Sequence, residues 1–471
     1  MNYPAQVIPM RPPRTPKTGL DGIHRANPFA ISVPANNQDM AADGVVLTAE
    51  QERAVSAAAL HIDGGRQRQV IGITGAAGTG KSTALKAIID RLESSVSDIA
   101  LAAPTHRAAA RATELSGHRF QTLHSLAFSP VERVRPGKKL EAEAARRDLN
   151  DALETYKHCP TSEIGQAVAE ARTRRGKCIE TTFEISPSAP LGGSRALICD
   201  EAGMVSEWLA GQVGETFGLP ALYIGDDAQL RPVGRPGTAY ARSVLEKLPI
   251  AVRLDQIHRS GGPLMRFGAD IRNGIAAEAD GEAVQWMPRH FDAAFFDIFD
   301  VVIAHSNRDR RDYINMLRRF HGLDGPYPAP NDKVVLRSSL PDLGLFAGTS
   351  VRVSDFVPSK RSPLLGSATI QRLDDNGYAI AGPVPGVPVD ISWTYWHVTK
   401  SQDDYPTNRR TGAVMLDFSW AITCHLAQGG EWGSVLVPKL PAGSRLSQDE
   451  FLRWVYTAVT RARQHLTISE N

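Results

Sequence analysis

The segment Gly75-Ala76-Ala77-Gly78-Thr79-Gly80-Lys81-Ser82 constrains this chain more than any other stretch. It matches the pattern GxxxxGK[ST]. It stands between an apolar run, Gln69-Val70-Ile71-Gly72-Ile73-Thr74, and a helical pattern carrying Ala84, Leu85, Ala87, Ile88 and Ile89. A glycine-rich turn there lets backbone N–H groups wrap a phosphate, backed by the positive end of the helix. Lys81 would reach the β- and γ-phosphates, and the Ser82 hydroxyl would bind magnesium (Mg2+). These eight residues and the adjoining Thr83 are the candidate contacts of a bound ATP or GTP.

Other short apolar runs repeat the strand signal: Ile99 to Ala103, Ala196 to Cys199 and Ala221 to Ile224. Short buried strands alternating with helices imply a parallel sheet covered on both faces, an α/β domain. An earlier helix opens at Thr48, a residue suited to capping it.

Binding becomes hydrolysis when a metal-holding acid and a base are added. Leu197-Ile198-Cys199-Asp200-Glu201 supplies both at a strand end. Asp200 would hold the hydrated metal, and Glu201 would orient and deprotonate the attacking water. Well over a hundred residues separate Ser82 from Asp200, yet both must reach one ion. Something is therefore inserted between neighbouring strands, with residues 127–189 the candidate.

Further motifs resemble those of superfamily 1 helicases. Gly225-Asp226-Asp227-Ala228-Gln229-Leu230-Arg231-Pro232-Val233 is similar to the motif GDxxQLxPV. Ala103-Pro104-Thr105-His106 and Thr122-Leu123-His124-Ser125 resemble motifs Ia and Ib, and Leu254 to Ser260 motif IV. Thr423-Cys424-His425 to Glu431 resembles motif V, and Tyr456 to Ala462 motif VI. The order holds from about residue 47 to 468. The Thr-His-Ser element and Arg272-Asn273-Gly274 point to subgroup 1B, with Dda-like helicases nearest and RecD-like proteins next.

That resemblance implies two RecA-like domains with parallel sheets gripping ATP between them. It gives Gln51 the adenine edge, Gln229 the γ-phosphate and Glu431 the ribose. Arg259 and Arg461 become arginine fingers from the second domain, a role that contributes roughly 10³–10⁵ in rate in comparable systems. His258 stands where the family often has a base-stacking aromatic, and Trp432 and Gly433 replace the more usual Phe and Asp. Thr105, His106, Thr122, His124, Thr423 and His425 would contact DNA. A lone histidine is as readily a hydrogen-bonded structural imidazole.

The first domain is expected over residues 45–126 and 190–249, and the second over 250–335 and 411–471. In the insertion, Thr122 to Phe128 and Cys178 to Ile185 read as two strands of a strand-separating pin. Lys139–Tyr156 and Ser162–Arg174 form a helical hairpin mounted on it. Residues 336–410 alternate as a small SH3-like β-barrel, with Trp393, Tyr395 and Trp396 on a strand, as core or as a stacking surface. Residues 1–44 hold seven prolines and no hydrophobic period, which reads as a disordered tail.

Net charge is only +2, so a nucleic-acid footprint must be local. Basic clusters occur at Arg135 with Lys138 and Lys139, at Arg172–Lys177, at Arg308–Arg311, and at Arg409 with Arg410. Each is a solvated face or a contact to DNA or a partner. No run approaches the ~18 apolar residues of a membrane span. The scattered Cys159, Cys178, Cys199 and Cys424 suit a reducing, cytoplasmic setting, with nucleoid association implied by the resemblance. The expected function is an ATP-dependent, monomeric helicase acting 5′ to 3′ on single-stranded DNA and at its junctions with duplex, with replication or recombination proteins as possible partners. The alternatives are an ATP-switched RecD-like subunit and a translocase that displaces proteins without unwinding.

Overall fold

The run of β-branched residues before the glycine-rich loop forms the strand Val70–Gly75, next to the edge of a six-stranded sheet. A computed structural model describes residues 47–64, 69–92, 97–235, 237–256, 262–288, 292–330, 332–340, 343–359, 362–373, 379–399, 413–441 and 446–470. The sheet runs Gln121–Thr122, Ile99–Ala103, Ala196–Cys199, Ala221–Gly225, Val70–Gly75, Ile250–Leu254, every pair parallel. Its middle strands are buried along their whole length, as their unbroken apolar sequences require. Ile250–Leu254, expected to open the second domain, is instead the edge strand of this first sheet.

The second sheet is also wholly parallel, in the order Ala421–Thr423, Val301–Ala304, Trp432–Val437, Ala462–Ile468, Val284–Trp286. Two RecA-like α/β domains result, each with its own apolar core. Inserted in the second domain, between its strands Val301–Ala304 and Ala421–Thr423, lies a closed five-stranded barrel from Val334–Leu336 to Val414–Phe418. It exceeds the expected 336–410 at both ends. Trp393, Tyr395 and Trp396 lie on the helix Ser392–Thr399 rather than on a strand, and both tryptophans are buried. Asp390 accepts the backbone N–H of Ser392 there, favouring a helical turn over the extended state that aromatics prefer.

The insertion contains an antiparallel pair, Phe128–Val134 with Ile179–Ile185. The first strand thus starts where Thr122–Phe128 was expected to end. Thr122 closes its own short strand and caps the helix Leu123–Ala127. Helices Lys139–His158 and Ser162–Cys178 rise from this pair, and the second packs on the barrel strand Val384–Asp390. The approach is close. A Cβ on Gly165 would fall 1.4 Å from the carbonyl oxygen of Gly386, and the Tyr156 hydroxyl donates to the Pro385 carbonyl. No helix among the described residues is long and apolar enough to cross a membrane. All four cysteines are free thiols.

Candidate nucleotide cleft and adjoining groove

Gly78 and Gly80 both adopt φ of 80°, the left-handed region in which a Cβ is disfavoured. They turn the loop so that helix Lys81–Arg91 begins with no side-chain cap, leaving its first N–H groups for an anion. The Lys81 ammonium donates to the carbonyls of Gly75 and Ala76 at 2.9 and 2.8 Å, which holds it over the loop.

Lys81, Ser82, Thr83, Asp200, Glu201 and Gln229 line one cleft, and Arg461 of the second domain lines it with them. Glu201 takes left-handed backbone angles, φ 49° and ψ 38°, a strain of about 1 kcal/mol or more for a non-glycine residue. Burial, and then the charge of Glu201, push the Asp200 carboxyl up to about 7. Two neighbouring carboxylates, one of them desolvated, with a hydroxyl lining the same cleft, form a hard oxygen set that suits Mg2+. Among the described residues no group of three or more acids, histidines or cysteines forms a fuller metal cage. A site completed by phosphate oxygens and water fits that sparse set.

Arg461 is 3% exposed. Its guanidinium is held by the Thr457 carbonyl at 2.9 Å, the Gly430 carbonyl at 3.2 Å and the Thr460 hydroxyl at 3.0 Å. Arg259 and His258 lie outside the described residues. Gln51 stands behind the loop. Its carbonyl accepts from the Thr48 backbone at 3.0 Å and its amide donates to Gly80 O at 3.4 Å, so it braces the helix start. Glu431 is committed to Arg111 at 2.8 Å.

Arg111 was not foreseen. It sits on the helix His106–Ser116 and lines the cleft beside the charges of Asp200 and Glu201. Burial alone would lower its pKa, but Glu431 and those two acids hold it above the ordinary value. Nothing in its alanine-rich surroundings marked it.

A larger cavity of about 1240 Å³ opens between both domains and the barrel. Thr105, His106, Thr122, His124 and His425 line it, whereas Thr423 is not among its lining residues. Thr105 and Thr122 cap helices through Ala108 N and Ser125 N, both at 3.1 Å. His124 stacks on Phe128 at 5.1 Å, and His106 packs on Phe346 of the barrel. Burial lowers the pKa of all three histidines. The groove's cations are Arg107, Lys333, Arg337, Arg352 and Arg463. Two of the sequence clusters do other work, and Arg409 and Arg410 lie outside the described residues. Arg174 and Arg175 pair with Asp148 and Glu132 inside the insertion, and Arg310 is fully buried against Asp417.

Residues 46–291 match the family model described as AAA domain, and residues 418–469 match the UvrD-like helicase C-terminal domain. The ATP-dependent DNA helicase dda of Enterobacteria phage T4 is 31% identical over 209 residues, 43% of this chain and 37% of that one. The ATP-dependent RecD2 DNA helicase of Deinococcus radiodurans is 25% identical over 415 residues, 84% of this chain and 46% of that one. The chain thus spans less than half the length of these curated relatives. A crystal structure of Bacteroides Pif1 bound to ssDNA aligns over 91% of this chain and 93% of that one, at 18% identity and a TM-score of 0.49.

Proposed function

Because the chain belongs to the superfamily 1B helicases, with its AAA-domain match alone covering more than half its length, we propose that it is an ATP-driven motor that moves along single-stranded DNA and separates duplex ahead of it. One observation carries this reading. The cleft joins Lys81, Asp200 and Glu201 of the first domain to Arg461 of the second, and Glu431 lines both that cleft and the basic groove.

Water attacks the γ-phosphorus, the bond to the bridging oxygen of ADP breaks, and Glu201 takes the water's proton. Lys81 and Arg461 neutralise the charge that develops on the transferred phosphoryl group. Ser82 and Asp200 would hold Mg2+, which would supply positive charge against the phosphate oxygens. Gln229 stands in the cleft while its neighbours grip the second domain. The Leu230 backbone N–H donates to Thr457 at 2.8 Å, and Gln428 donates to the Leu230 carbonyl at 3.0 Å. A change at the γ-phosphate therefore reaches the domain interface within one residue.

The groove takes single-stranded DNA through Arg107, Lys333, Arg337, Arg352 and Arg463, with the pin hairpin at the junction with duplex. Movement 5′ to 3′ follows from the subgroup, and the chain acts as a monomer on cytoplasmic DNA. The test is the ATPase rate of the purified chain with and without single-stranded DNA. Turnover rises with DNA on this reading, and a rate indifferent to DNA contradicts it.

A further inference from the structure

Tyr456 lies near the end of helix Gln448–Val459 in the second domain, yet its hydroxyl works on the first. It accepts the backbone N–H of Ala77, at the tip of the phosphate loop, at 3.0 Å. It donates to the Asp226 carboxylate at 2.7 Å. Arg272, also of the second domain, completes the group, with 2.7 Å to Asp226, 2.6 Å to Asp227 and its guanidinium 5.7 Å from the Tyr456 ring centroid. Asp226 is 1% exposed and takes the Ala228 N–H as well. One hydroxyl thus ties two first-domain loops to a second-domain helix.

Packing does not ask for that hydroxyl. The ring fills the second-domain core, where phenylalanine would fill nearly the same volume. What the oxygen adds is a fixed distance between the phosphate loop and the segment that follows. Arg461 comes five residues later, just past the helix cap Thr460, anchored to Thr457, Thr460 and Gly430. Residues 456–461 therefore form a short rigid arm, with its hydroxyl end on the loop and its guanidinium end in the same cleft. Burial and Asp226 raise the phenol's pKa, which keeps it protonated as a donor.

We propose that Tyr456 is a positioning residue for ATP hydrolysis: its clasp on Ala77 and Asp226 sets where Arg461 stands over the transferred phosphoryl group. This rests on the ATPase reading above. Arg461 acts on charge that exists only in the transition state, so a misplaced Arg461 lowers kcat and spares KM.

The experiment is steady-state ATP hydrolysis by Tyr456→Phe, Arg461→Ala and the double variant, with and without single-stranded DNA. Tyr456→Phe should lower kcat about ten- to a hundredfold, the worth of a hydrogen bond to a charged partner, with KM little changed. The double variant should be no slower than Arg461→Ala alone, because both changes remove one device. Asp226→Asn weakens the clasp from the other side and should reproduce the split; it decides the matter if Tyr456→Phe does not fold. A normal kcat in Tyr456→Phe, a loss confined to KM, or losses that multiply in the double variant would overturn the proposal. Wild-type turnover that ignores DNA overturns the motor reading instead, and leaves the clasp to be judged on kcat.

Discussion

The guanidinium of Arg111, on the first domain, lies 2.8 Å from the carboxylate of Glu431, on the second. The pair spans the nucleotide cleft and keeps a positive charge beside Asp200 and Glu201. Both side chains remain partly exposed, 30% and 22%, so the pair itself is worth about 1 kcal/mol or less. On the proposed mechanism its effect on the reaction is larger, because Arg111 carries its charge near Glu201. Arg111→Ala should lower kcat/KM for ATP about tenfold in steady-state assays. Unchanged kinetics would leave Arg111 as a tether only.

On the proposed mechanism, Lys81 and Glu201 divide binding from chemistry. Lys81→Ala should abolish hydrolysis. Glu201→Gln should still bind nucleotide and DNA, with turnover slower by roughly 10²–10⁴. Fluorescent-nucleotide titration and single-turnover hydrolysis separate the two. Normal turnover in Glu201→Gln would show that another group is the base.

Acid should destabilise the fold in two stages. His397 is buried and its pKa is lowered by that burial, so it folds neutral. A lowered pKa contributes stability that is full above the unfolded value of 6.5 and is lost as pH falls below it. Burial likewise lowers His106, His124, His305 and His425, so all five push in one direction. Burial alone would raise Asp417, yet Arg310 at 2.7 Å, His397 at 2.9 Å and Arg337 hold it at about 2. Its contribution is full above the ordinary carboxylate range and disappears as pH falls from about 4 towards 2. The urea midpoint should therefore drop between pH 7 and 5. A flat midpoint over that range would contradict the buried-histidine account.

Asp417→Asn should cost about 3–5 kcal/mol in urea unfolding at pH 7, because it strands Arg310 without its buried partner. A loss below 1 kcal/mol would mean that the barrel is not locked to the second domain by this ion pair.

Phe183, on the strand Ile179–Ile185 of the pin, is 63% exposed. An apolar ring standing in solvent on the hairpin proposed as the pin suits stacking contact with an unpaired base. Phe183→Ala should weaken duplex unwinding while leaving DNA-stimulated ATP turnover intact. Equal loss of both would assign the ring to folding.

Much of this molecule is legible in its residues where a signal is local. The phosphate loop is contiguous, and Ala196–Cys199 is a four-residue apolar strand ending in acids. The insertion follows from the separation of Ser82 and Asp200. What escaped was set by contacts between distant segments. The groove's five cations come from four separate places, with Lys333 and Arg337 flanking one strand, so no run announces them. Arg310, within an arginine-rich stretch that looks solvated, is fully buried because Asp417 lies more than a hundred residues downstream. The first pin strand hid for another reason. Leu123, Leu126 and Ala127 look like strand residues, but Thr122 and Ser125 cap a short helix there. The true strand, Phe128–Val134, is mostly exposed and carries little apolar pattern.

The central claim, that ATP hydrolysis in this cleft drives the chain along one strand, is tested most directly on partial duplexes bearing a 5′ or a 3′ single-stranded tail. With ATP and Mg2+, strand displacement should occur from the 5′-tailed substrate and vanish in Glu201→Gln. Displacement only from the 3′ tail would reverse the direction. Displacement from neither tail, with turnover indifferent to DNA, would contradict the account as a whole.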